Sequence, residues 1–112
     1  MLARLAVTAA TLLLTLTACL PNDPTVGTGP ITLSPGSQQN FEAYLEKRSP
    51  GYFAVAEDGG GSYYNYCPSG RCYRDSANKV IHECEKNNVG KPCKIYASKG
   101  KVVWKTDVAK AN

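Results

Sequence analysis

Histidine is nearly missing from this chain: His82 is the only one in 112 residues, and Trp104 is the only tryptophan. A single imidazole excludes any site built from several, and it leaves no Ser-His-Asp relay unless His82 takes part. His82 lies off the apolar stripe of Ala77, Val80, Ile81 and Cys84, so it reads as a solvated helix residue. Facing carboxylates are lacking too. Glu57 and Asp58 are adjacent at the end of a strand-like run, which puts them on opposite faces or in a turn and does not oppose them as acid and base. Asp58-Gly59-Gly60-Gly61 lacks the Lys and the following Ser or Thr of a phosphate-binding loop and reads as a turn. The longest apolar stretch, Leu5 to Leu16, is about a dozen residues, short of the ~20 that a membrane-spanning helix needs. The expectation is a chain with no catalytic residues, no cofactor and no metal.

What is present begins at the N-terminus. MLARLAVTAATLLLTLTAC has one basic residue, Arg4, then the apolar run, then small residues before a cysteine, which is the shape of a secretion signal. Its end resembles the bacterial lipobox, Leu-x-(Ala or Gly)-Cys, in Leu16, Thr17, Ala18 and Cys19. The resemblance implies cleavage before Cys19 and acylation of its sulfur, for which a thiol is the ready nucleophile. Two or more acyl chains give lasting anchorage, so the expected partner at this end is the membrane itself. Leu20 follows in place of Asp, which by enterobacterial sorting rules favours the outer membrane of a Gram-negative cell. The chain then divides into a signal at 1–18, a lipidated cysteine with a Pro/Gly-rich tether at 19–36, a domain at 37–106 and a tail at 107–112. The tether, PNDPTVGTGPITLSPG from Pro21, shows no sustained periodicity and is expected to be extended and solvated.

From Ser37 the pattern becomes periodic. Phe41, Tyr44 and Leu45 recur at helical spacing, which predicts a helix over 38–47 with Ser37 as cap. Tyr52 to Glu57 and Ser62 to Cys67, joined by Asp58-Gly59-Gly60-Gly61, predict a hairpin. A second helix over 76–87 follows, capped by Asp75 or Ser76. Cys93 to Ala97 and Lys101 to Lys105, joined at Lys99-Gly100, predict another hairpin. Hairpin, helix, hairpin is the order of an α+β fold: two layers, with a four-stranded, mainly antiparallel sheet and one or two helices on one face.

The chain has five cysteines. With Cys19 committed to lipid, Cys67, Cys72, Cys84 and Cys93 form an even set in an oxidising compartment, open to three connectivities. Cys67 with Cys72 across a short loop, and Cys84 with Cys93 between a helix end and a strand start, is the favoured arrangement. A four-thiolate metal site is the alternative, but gaps of four and eight residues fit no common CxxC knuckle.

The stretch from Gly51 to Trp104 resembles a small module of uncharacterised alphaproteobacterial envelope proteins and a periplasmic family of unassigned function. The resemblance is carried by Phe53 to Gly59, by Ala77, Val80, Ile81 and Cys84, and by Gly90, Cys93, Ile95, Tyr96, Ala97, Val102, Val103 and Trp104. It implies a fold and an address and supplies no reaction.

Tyrosines and lysines remain. Tyr63, Tyr64, Tyr66 and Tyr73 cluster around the first hairpin, and alternation places Tyr63 on the face opposite Tyr64 and Tyr66. One face is expected in the core and the other, with Tyr63, offers rings to a sugar or protein. From Lys91 onward six lysines stand against Asp107 alone. Lys91, Lys94, Lys99, Lys101 and Lys105 make this hairpin basic, suited either to an anionic envelope polymer or headgroup or to keeping a sheet edge from pairing. Nucleic acid is not an expected partner outside the cytoplasm. Two functions follow: a non-catalytic envelope lipoprotein that binds a protein or an anionic component, or a small inhibitor of lysozyme or protease type.

Overall fold

In a computed structural model, which describes residues 23–69 and 76–107, the first helix starts earlier than the spacing of aromatic residues suggests. Helix α1 spans Pro35–Leu45 with Ser34 as N-cap, its hydroxyl accepting from the Ser37 N–H at 3.1 Å. Proline at the first helical position is pre-set for the turn, so Ser34 and not Ser37 is the cap. Strand β1 spans Pro50–Ala56, β2 Ser62–Tyr66, α2 Ala77–Lys86, β3 Cys93–Ser98 and β4 Lys101–Val102. Ser76 caps α2 as expected. The sheet order is β2-β1-β3-β4, antiparallel throughout, so the fold is the four-stranded α+β arrangement expected from the sequence.

Alternation along β1 divides the interior. Ala54 and Ala56 face α2, where they join Val80, Cys84, Cys93 and Ile95. Phe53 and Val55 face the other way, toward Tyr44 of α1, with Ala97 and Trp104. Each face of the sheet thus takes one helix, which corrects the expectation of helices on one face: alternation along β1 puts apolar side chains on both faces, and each needs a cover.

Two irregularities set the register. Gly51 and Tyr52 together oppose the single residue Asn65 between the pairs Pro50↔Tyr66 and Phe53↔Tyr64. The Asn65 carboxamide fills the gap, accepting from the Tyr52 N–H at 2.7 Å, and it lies where a Cβ on residue 51 would have to be, which is why that position is glycine. On the other side, Phe53 pairs with Ala97 while Ala54 pairs with Ile95, so Tyr96 is the extra residue. The bulge turns both Tyr96 and Ala97 toward α1.

The fourth strand is shorter than its sequence implies. The N–H groups of Val103 and Trp104 both donate to the Tyr96 carbonyl, at 2.9 and 3.1 Å, which ends the ladder at Val102. Trp104 then drops into the core at 5% exposure instead of continuing the strand.

The stretch expected to be a free tether requires correction. From Asp23 it is part of the fold. Val26 pairs in parallel with Ile95 and Thr28 with Lys105, filling the place beside β3 that β4 vacates. The physical reason lies in its composition: Val26, Ile31 and Leu33 supply apolar area to the two clusters, and the glycines between them let the chain pass close to Trp104. Among the described residues no helix is long and apolar enough to cross a membrane.

Candidate functional site

Three built features tie the elements together. The first is the Cys84–Cys93 disulfide, whose Cα atoms are 6.2 Å apart, within the span a helix end and the strand packed on it can meet. Both residues are buried, and the Glu85 carboxylate accepts from the Cys93 N–H at 3.0 Å, so the end of α2 is fixed to the start of β3 twice. The bond also withdraws these two thiols from any four-thiolate metal site. Cys67 is disulfide-bonded as well, while Cys72, the partner expected for it, lies outside the described residues, as do Cys19 and Tyr73.

The second is Tyr44. Its ring is fully buried and its hydroxyl donates to the Gly51 carbonyl at 2.6 Å while accepting from the Gly100 N–H at 3.0 Å. One phenol therefore joins α1, the start of β1 and the β3–β4 turn. Burial pushes its pKa up, against the opposing pull of the Gly100 bond.

Third is Trp104. Its indole N–H donates to the Gly29 carbonyl at 2.8 Å, and its six-membered ring lies where any side chain at residue 27 would be, so only glycine fits there. Around this anchor the segment 25–29 is hydrogen-bonded on both sides. Ile95 donates to Thr25 at 2.7 Å, Gly27 to Ile95 at 3.1 Å, Lys105 to Gly27 at 3.0 Å and Gly29 to Lys105 at 2.9 Å. Reasoning from sequence missed this latch. The available signal was a lone tryptophan together with two glycines spaced by one residue in a stretch that otherwise contains apolar side chains.

The residues singled out for binding do not converge. Tyr63 is half-buried and packs against the α2-side cluster, opposite Ala54, so it is not the outward ring expected of it. Tyr66 is the exposed one, at 41%, with the Lys47 ammonium 4.7 Å from its ring centroid. Lys99 and Lys101 flank the β3–β4 turn and are exposed, and the backbone of Lys99 is held there at φ 54°. Lys105 is exposed beside the 25–29 segment. Tyr63 and the lysines are thus separated by β1 and β3.

Other lysines of the basic run have partners within the fold. Lys91 meets Asp58 at 2.9 Å, and Lys94 donates to the Pro24 carbonyl at 2.9 Å. The Lys91 ammonium, followed by the Gly60 N–H, holds the Asp58 carboxyl below its ordinary pKa. Asp23 is lowered in the same way by the hydroxyl and N–H of Thr25. His82 is exposed on α2. No family model, curated protein or solved structure matches the chain.

Proposed function

We propose that this chain is a non-catalytic lipoprotein of the bacterial cell envelope, anchored through lipid on Cys19 in the outer membrane, whose stapled domain binds an anionic envelope component or a protein. Leu16 to Cys19 supports the address. The observation that carries the partner is the β3–β4 turn, where Lys99 and Lys101 are exposed and neither makes an ion pair among the described residues. Envelope polymers and acidic lipid surfaces are anionic, and unpaired exposed ammonium groups attract them over about a Debye length, ~8 Å at physiological salt.

The domain is expected to cosediment with peptidoglycan or lipopolysaccharide at low salt and to be released as salt rises. The pair Lys99→Glu and Lys101→Glu removes that binding while leaving the fold intact, since both side chains are exposed. Binding that ignores both salt and these substitutions contradicts the proposal, and inhibition of lysozyme or a protease by the domain assigns it to the inhibitor class.

A further inference from the structure

We propose that the edge of the domain formed by Asp23 to Thr25, Lys94 and Lys105 rests on the lipid surface that holds the Cys19 acyl chains, and that the β2 edge is turned outward. The inference rests on the lipid anchor of the preceding reading and adds an orientation to it.

The first observation is the length of chain between Cys19 and the first described residue. Only four residue steps separate Cys19 from Asp23, the first described residue, so the anchor lies within ~14 Å of Asp23 even when fully extended. Were the segment free up to Ser34, fifteen steps would allow roughly 50 Å. The hydrogen bonds from Thr25 to Gly29 and the Trp104 latch remove that slack. A stretch that reads as a spacer therefore acts as a short strap.

Topology supplies the second observation. The strap lies beside β3 at Ile95, and β2 is the opposite edge of the sheet. Three strand spacings separate them, ~14 Å. The strapped edge is thus nearest the anchor, and β2, with the exposed ring of Tyr66, is farthest from it.

Charge at the strapped edge is balanced and does not oppose contact with a lipid surface. Lys105 is exposed, and Lys94 crosses to the Pro24 carbonyl without a carboxylate partner among the described residues. The carboxylates there are Asp23, kept ionised by the bonds from Thr25 and by the field of Lys105, and the exposed Asp107, so two lysines stand against two carboxylates and the tether length and topology carry the orientation.

The test uses the lipidated protein extracted from membranes, labelled with 15N and placed in nanodiscs of phosphatidylethanolamine and phosphatidylglycerol that carry nitroxide headgroups. Amide signals of Thr25, Val26, Lys94 and Lys105 are expected to lose markedly more intensity than those of Ser62 to Tyr66. A long Gly-Ser linker inserted between Asn22 and Asp23, which leaves the packed residues untouched, is expected to restore the lost signals. Broadening centred on β2, or spread evenly over the domain, overturns the orientation while leaving the lipoprotein reading in place. An unmodified Cys19 overturns both together.

Discussion

The two faces of the sheet are built from different materials. On the α2 side the fully buried side chains are aliphatic, Ala54, Ala56, Val80 and Ile95, with Tyr52 and Tyr63 only at the margin, and a disulfide closes the layer. On the α1 side aromatic rings fill the space: Phe41 meets Phe53 and Tyr96 at centroid distances of 5.2 Å, and Tyr44 meets Phe53 at 5.4 Å and Tyr64 at 5.6 Å. These separations suit edge-on and offset ring contacts. A domain this small buries a modest share of its surface and needs help beyond its core. The α2 face obtains it by restricting the unfolded chain, and the α1 face by apolar area and the two hydrogen bonds of Tyr44.

Breaking each face separately sharpens the contrast. Phe53→Ala empties the centre of the aromatic layer and is expected to cost ~3 to 5 kcal/mol in urea unfolding. The double change Cys84→Ala and Cys93→Ala opens a short loop and is expected to cost about 2.5 to 3 kcal/mol by loop-closure entropy. Hydrogen exchange should separate the two: loss of the bond speeds exchange in α2 more than in α1, whereas Phe53→Ala does the reverse. Equal acceleration of both helices in both variants would show that the faces are not independent units.

A smaller effect tests where α1 begins. Ser34→Ala is expected to cost ~1 kcal/mol by removing the cap. Ser37 is buried at 2% exposure, and its hydroxyl has no hydrogen-bond partner among the described residues. Ser37→Ala is therefore expected to be neutral or stabilising, because it removes an unpaired buried hydroxyl and favours the helix. Reversed signs for the two variants would restore Ser37 as the cap.

The smallest expected effect is on pH dependence. A carboxyl whose folded pKa lies below its unfolded value contributes stability at higher pH that is lost as pH falls from the unfolded value through the folded one. Asp58 is such a group, beside Lys91, with an ordinary value of 3.8. The thermal midpoint should fall with acidification below that value, and Asp58→Asn should flatten part of the slope. Its exposure keeps the effect slight.

The legible parts of the fold were those with a local signature. Runs of strand formers joined at Gly-containing turns marked the strands, Ser76 with the Ala77-Val80-Ile81-Cys84 stripe marked α2, and the positions of Cys84 and Cys93 in elements that must pack together marked their bond. The parts that escaped depend on distant partners. Residues 23–33 carry proline and glycine, which read as coil, and only the vacancy beside β3 and the ring of Trp104 bring that segment onto the sheet, at the two bridges of Val26 and Thr28. Tyr63 shows the same limit, since alternation fixed which face it occupies but not that α2 covers that face. For Ser34 the local signal was present in the following proline, although the aromatic spacing pointed to a later start.

The central claim is that lipid on Cys19 joins this domain to the envelope, and intact-mass spectrometry of the protein extracted from cell membranes tests it most directly. The expected mass is that of a chain beginning at Cys19 plus a diacylglycerol and an amide-linked acyl group, lost on Cys19→Ser. A chain with an unmodified Cys19 would contradict the account.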